Sequence, residues 1–325
     1  MFSLRNNPWL RLFRVPNLPT VPGDALAGAA FMMPAGDATL VQAFAAAVGV
    51  LFVYMFGLAD NDIIDAPLDA KNAPDRPIPR GEISPLVANV VMCVCLCSAW
   101  FVPSWILQLF SPGAPVTWRW IAAMLLLFCC VYAYNRSKRT WLMGACRGLS
   151  VICGGMAAWE PDRHPYTQRI LSVHWYLLAS LVVLAVGWSV YIMAVTKLSE
   201  GEERPSEGLG NRRFLLGLAA FLPLLAFVPI VFAPGVEISS YSMFILPVTG
   251  CVCTFMAWCS AVAPLWMPHG PPERRRAVGK TIGALIFRQI GFMLMWLRLS
   301  FLVAAVGLWL ASRLVRRLVP HISGS

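Results

Sequence analysis

An all-α membrane protein, a bundle of nine transmembrane helices under a polar cytoplasmic cap, is the fold this sequence predicts. Three observations predict it. Hydrophobic residues make up 58% of the 325 positions and charged ones 13%, with a mean hydropathy of +0.66. A soluble domain carries about twice that charged share. The apolar residues gather into runs of about 20, the length a helix needs to cross a bilayer. The basic residues flank those runs and favour one side. That placement separates the net charge of +10 from the solvated basic face of a nucleic-acid binder.

In chain order the spans fall at about 23–36, 38–60, 85–109, 117–135, 140–158, 171–197, 214–233, 240–266 and 281–311, a single domain over 1–325. The first carries Gly23, Ala25, Ala27, Gly28, Ala29 and Ala30, small residues suited to close helix packing. A polar loop to about residue 83 follows the second, and Lys197 to Arg213 separates the sixth from the seventh. Pro103, Pro112, Pro115, Pro234 and Pro268 lie near span ends, where a missing N–H costs little. Trp100, Trp105, Trp118 and Trp120 read as an interfacial belt.

Charge placement tests the count. With a cytoplasmic N-terminus, the tail and the loops after spans two, four, six and eight hold 17 of the 26 basic residues, while the opposite loops hold Arg119, Arg163 and Arg169. Arg313, Arg316 and Arg317 conflict, because a single ninth helix carries them outside. A long tilted last helix or a misplaced span would account for them. No cleavable signal peptide is expected, since Pro8, Pro16, Pro19 and Pro22 interrupt the N-terminal segment before any clean apolar core. The ten cysteines lie almost wholly in apolar runs and read as buried small side chains; Cys93, Cys95 and Cys97 point apart on a helix and cannot share a metal.

Acids carry the functional signal. The chain has 16, and five of them, Asp60, Asp62, Asp65, Asp69 and Asp75, crowd the end of the second apolar run. Unpaired anions are costly there, so a cation must gather them. Asn61, Asp65 and Asp69 stand at i, i+4 and i+8, on one helix face at a rise of ~6 Å per step, where their oxygens can share hard cations. Mg²⁺ binds few protein carboxylates and completes its shell with water and phosphate oxygens, so a phosphorylated ligand is expected. Asp62 lies about 100° round the helix, behind the metal or facing the cap. Pro67 threatens a kink, which would set Asp69 past a bend instead of one turn below Asp65. A solvated acidic turn is the competing reading.

The run continues Pro74-Asp75-Arg76-Pro77-Ile78-Pro79-Arg80-Gly81. Asn-Asp-x-x-Asp-x-x-x-Asp followed by Arg-Pro-x-Pro-x-Gly resembles the first signature of the UbiA superfamily of intramembrane prenyltransferases. Tyr134-Asn135-Arg136-Ser137-Lys138-Arg139 is similar to the Tyr-x-x-x-Lys-Arg segment those proteins carry after their fourth span. The resemblance covers nearly the whole chain. It implies a nine-helix bundle around a cavity open to lipid, in a bacterial inner membrane with the active-site cap cytoplasmic. It further implies Mg²⁺ on Asn61, Asp65 and Asp69 with Asp62 nearby, and Arg76, Lys138 and Arg139 on the oxygens of a prenyl diphosphate. Asp65, Asp69 and Arg76 become the catalytic candidates, with Tyr134, Arg147, Tyr191 and Lys197 as further substrate-binding candidates. For Arg76, Lys138 and Arg139, setting topology or meeting lipid headgroups is the alternative.

The second aspartate-rich motif expected after span six is absent. Its stretch, Tyr191 to Glu203, has no aspartate; Tyr191 matches the motif's tyrosine, and Glu200 and Glu203 are one turn apart as substitute metal ligands or as a solvated loop. That departure puts a two-metal arrangement in doubt. The Lys138–Leu149 and Val195–Glu200 segments look similar to the EboC-like branch. Arg147, Arg288 and Arg298 sit within apolar runs and should face the interior with a partner. Arg147 is placed to face the diphosphate or Glu200; a salt bridge or snorkelling is expected for the other two.

The implied activity is Mg²⁺-dependent transfer of a prenyl group from its diphosphate to an unidentified acceptor, with release of pyrophosphate and with membrane lipids as neighbours. The alternative is a non-catalytic membrane binder or carrier of prenyl phosphates. A transporter fits less well, since the polar groups gather at one membrane edge and not at the midplane.

Overall fold

The computed structural model describes residues 7–32, 39–112, 116–159, 173–199, 216–232, 242–266, 270–295 and 299–318. Those residues form helices and turns, with no strand among them. A short helix α1 (Pro8–Leu12) and a 3₁₀ turn (Val15–Asn17) lead into α2 (Thr20–Met32), α3 (Thr39–Asn72), α4 (Pro85–Phe110), α5 (Trp118–Ser137), α6 (Thr140–Ala158) and α7 (Val173–Ser199). There follow α8 (Gly217–Val231), α9 (Ser242–Val262), α10 (Pro271–Met293) and α11 (Leu299–Leu318). Six of these helices are long and apolar enough to cross a membrane, and α8 and α11 are shorter apolar helices. The exposed side chains confirm the solvent: Leu86, Phe101 and Trp105 on α4 are 74%, 74% and 63% exposed, which only lipid makes favourable.

Local chemistry explains the boundaries. Ser84 caps α4 by accepting from Val87 N, with Pro85 in the first turn where its missing N–H is no loss. Thr117 caps α5 in the same way. At its other end α5 stops on Lys138, whose left-handed backbone (φ 54°) lets its N–H reach Tyr134 O at 2.7 Å. Only Lys138 and Arg139 join α5 to α6, a tight helical hairpin.

The packing runs α2 against α6 at the centre, α3 against α4 and α5 on one side, and α7 through α10 on the other. Helices α2 and α6 touch backbone to backbone. A Cβ on Gly28 would overlap Val151 O, and one on Gly154 would overlap Ala25 O. The small residues of the first span therefore serve the close packing they predict.

Several boundaries move. The first span begins at Thr20. Helix α3 runs on through Pro67 to Asn72, so the "polar loop" opens as a protruding helix. At 34 residues it is ~51 Å long, well beyond the ~30 Å hydrocarbon core, so its acidic end stands at the interface. Pro103 lies inside α4, not near its end. Trp120 is buried, edge-on to Trp100, and is no belt residue. Cys93, Cys97, Cys129 and Cys253 face outward on the lipid side, and every described cysteine is free. Residues Gly217–Ala226 of α8 are 3₁₀, a consequence of Pro223 within the run.

The largest correction concerns the last span. A single helix over the 31 residues 281–311 would be ~46 Å long, too long for the bilayer core without steep tilt. The chain leaves α10 at Leu294 and resumes in α11. Lys280, in the first half of α10, lines the same groove as Arg313 and Arg317, near the end of α11. The two helices are thus antiparallel, and the C-terminal basic residues return to the side of Lys280. The charge conflict disappears.

Candidate active site

At the α3 end of the bundle a cavity of about 270 Å³ opens between α2, α3, α5 and α6. On α3 it is lined by Val50, Val53, Tyr54, Gly57, Leu58, Asn61 and Asp65. That face spans ~22 Å along the helix. The deep part is apolar (Val21, Val50, Val53, Leu127, Val131). The mouth is polar, with Arg14, Asn61, Asp65, Arg76, Tyr134, Lys138 and Arg147.

The two sequence motifs meet at this mouth. Lys138 Nζ donates to Asn61 Oδ1 at 2.5 Å and to Asp65 Oδ2 at 2.9 Å. Asn61 Nδ2 also donates to Asp65 Oδ2 at 3.0 Å, the i, i+4 contact the helix spacing predicts. Next to them Asn135 Nδ2 donates to Gly57 O (2.9 Å) and Asp60 Oδ2 (2.8 Å), and Arg136 pairs with Asp60 at 3.2 Å. The residues beside the named motif positions therefore clamp α5 to α3.

Asp62 and Asp69 do not line the cavity. Arg76 Nη1 holds Asp69 Oδ2 at 2.6 Å and lies 3.9 Å from Asp62 Oδ1, which Arg14 approaches at 3.6 Å. Both carboxylates are buried behind the arginines they balance. The loop that brings Arg76 there is built by its own motif: Arg80 N bonds Arg76 O, Gly81 N bonds Ile78 O, and Glu82 N bonds Pro77 O. Gly81 closes that turn at φ 76°, a conformation glycine alone adopts freely. Ile78 and Ile83 then plug against Leu12 and Ala59, while Arg11 pairs with Glu82. The N-terminal segment so holds Arg14 over the mouth.

Arg147 lines the cavity from α6 and is anchored from below. Its Nε lies 2.7 Å from Asp24 Oδ2 and its Nη2 donates to Thr20 O at 2.9 Å. Asp24 Oδ1 accepts from Trp188 Nε1 (2.8 Å) and Gln289 Nε2 (2.6 Å), so α2, α6, α7 and α10 converge on one buried carboxylate.

Other candidates stand elsewhere. Tyr191 is buried against Trp258, donates to Thr281 O at 3.1 Å, and does not reach the cavity. Lys197 and Arg139 are exposed and outside its lining. Glu200, Glu203 and Arg298 lie outside the described residues. Arg288 has no carboxylate within salt-bridge distance among the described residues; its guanidinium lies over the rings of Trp188 (4.0 Å) and Tyr191 (4.5 Å). Arg14, Tyr54 and Asp24 were not anticipated. Asp24 carried a usable signal, an acid inside an apolar run. Arg14 and Tyr54 carried none.

The donor set suits magnesium in a limited form. Among the described residues no group of three His, Cys, Asp or Glu converges. Asn61 and Asp65 nonetheless direct two oxygens at one cation, the Lys138 ammonium. Two protein oxygens, with the remaining positions left to water and phosphate, is an arrangement Mg²⁺ accepts.

The model of the UbiA prenyltransferase family matches residues 24–263. Protoheme IX farnesyltransferase of Geobacter sulfurreducens is 32% identical over 144 residues, 43% of this chain and 49% of that protein, so the chain matches about half the relative's length. A solved structure of digeranylgeranylglyceryl phosphate synthase superposes with a TM-score of 0.52 at 17% identity, covering 92% of this chain and 100% of that one, a likeness of fold.

Proposed function

The chain belongs to the UbiA prenyltransferase family, and from that premise we propose that it moves a prenyl group from a prenyl diphosphate to an acceptor, releasing pyrophosphate. The similarity of part of the chain to a farnesyltransferase supports this reading. The observation that carries it is the mouth of the cavity. Among the described residues, four cations (Arg14, Arg76, Lys138, Arg147) and a single carboxylate, Asp65, line a site whose interior is apolar. An amphiphile with a polyanionic head and a greasy tail matches that division.

In the reaction the bond between the allylic carbon and the diphosphate oxygen breaks, and its electron pair leaves with the diphosphate. An electron pair of the acceptor forms the new bond to that carbon, and the acceptor then sheds a proton. Arg76 and Lys138 stabilise the negative charge that grows on the leaving group, and Arg14 and Arg147 add to that field. Asp62, Asp69 and Asp24 hold three of these side chains in place. The Val-rich interior receives the prenyl chain and excludes water, which would otherwise capture the electrophile. Asn61 and Asp65 would hold Mg²⁺, which when bound would supply Lewis-acid stabilisation of the diphosphate. We place the mouth on the cytoplasmic side of a bacterial inner membrane, because the basic loops gather there.

The test is incubation of purified protein with Mg²⁺ and prenyl diphosphates of several chain lengths. Pyrophosphate release together with a prenylated product is expected. Binding without release would favour the carrier reading.

A further inference from the structure

A second cavity, of about 570 Å³, lies between α9, α10 and α11 and shares no lining residue with the candidate active site. Its floor and walls include Ile286, Phe287 and Trp309, an apolar surface. Its rim carries Lys280, Arg313 and Arg317, all exposed. None of the three forms an ion pair among the described residues. Arg313 instead lies 4.4 Å over the ring of Trp309.

We propose that this groove binds an anionic phospholipid, its phosphate on the three cations and its acyl chains along Phe287 and the outward face of α11. Three observations favour that occupant. Charge is one: a rim of three cations with no paired anion among the described residues attracts a phosphate, at ~1 kcal/mol per cation near an anionic leaflet. Depth is another. Arg313 and Arg317 stand in the last two turns of the apolar helix α11, an end at which headgroups lie, with Trp309 beside them and Lys280 facing them across the groove from α10. Continuity is the third, since Val303, Val306, Leu310 and Leu314 of α11 are all well exposed and extend the apolar wall out of the groove. A soluble anion would gain nothing from that wall.

The test is native mass spectrometry of the full chain with phosphatidylglycerol against phosphatidylcholine, beside the triple variant Lys280→Gln/Arg313→Gln/Arg317→Gln. The wild type should retain phosphatidylglycerol preferentially. The triple variant should lose that preference, with affinity falling on the order of a hundredfold from about fivefold per cation. Arg313→Lys/Arg317→Lys should keep it. The altered side chains are exposed, so an unchanged melting temperature verifies folding, and each single variant offers a smaller step in the same direction. Equal retention of both lipids by the wild type, full preference in the triple variant, or displacement of the lipid by inorganic phosphate would overturn the proposal.

Discussion

The Lys138 ammonium lies 2.9 Å from the Asp65 carboxylate, so two motifs 73 residues apart in sequence share one point in space. Lys138 reaches it from a left-handed backbone, a conformation that costs a non-glycine residue ~1–2 kcal/mol. The tight turn from α5 into α6 holds that backbone in place, and strain of this kind clusters at functional sites.

That placement predicts a split. Lys138→Met should raise the KM for the donor, because a phosphate-facing cation is gone. It should also lower the Mg²⁺ concentration needed for half-maximal rate, because a competing cation is gone. Lys138→Gly should show the same kinetics but melt higher than Lys138→Met, since it relieves the backbone. Steady-state kinetics with a metal titration and thermal unfolding in detergent measure both.

Asp65→Asn should lower kcat by ~10²–10³, the scale of losing one strong stabiliser of a developing anion, because it weakens the hold on the Mg²⁺ that would face the leaving group. Donor binding should weaken far less, since Arg14, Arg76, Lys138 and Arg147 remain. Pyrophosphate release and equilibrium binding of a labelled donor separate the two effects.

The predicted consequence of Asp24→Asn is structural as well as kinetic. It leaves the Arg147 guanidinium buried without its anion, and breaking a buried pair on one side costs ~3–5 kcal/mol. Asp24→Asn with Arg147→Met should recover much of that stability without recovering activity. Unfolding curves of the two variants give the comparison.

Gly154→Ala should destabilise by ~1–3 kcal/mol or more, because its Cβ would meet the backbone of Ala25. Gly279→Ala, where a Cβ meets nothing within 4 Å, should instead stabilise by up to ~1 kcal/mol through helix propensity. A matched pair of melting curves tests the contrast.

How legible was all this in the sequence? The membrane class and most helices follow from apolar runs of bilayer length, a one-dimensional signal. The pairing of Asn61 with Asp65 follows from helical spacing, which is local geometry. What the sequence hides is who balances whom. Asp69 matches the motif spacing yet its charge is held by Arg76, and that depends on a turn closed by Gly81. Arg147 meets Asp24 only because two glycines let α2 and α6 touch. Tyr191 lines up with a motif but turns toward Thr281. The folding-back after Leu294 was visible only as misplaced charge on Arg313, Arg316 and Arg317.

The most direct test of the central claim is a density map of the protein with Mg²⁺ and a thio-diphosphate analogue of the donor. An ion is expected at ~2.0–2.1 Å from Asn61 Oδ1 and an Asp65 oxygen, with Lys138 swung onto the analogue's phosphates and the prenyl chain between Val50, Val53 and Leu127. An analogue bound elsewhere, with Lys138 still locked between Asn61 and Asp65 and no ion beside them, would contradict it.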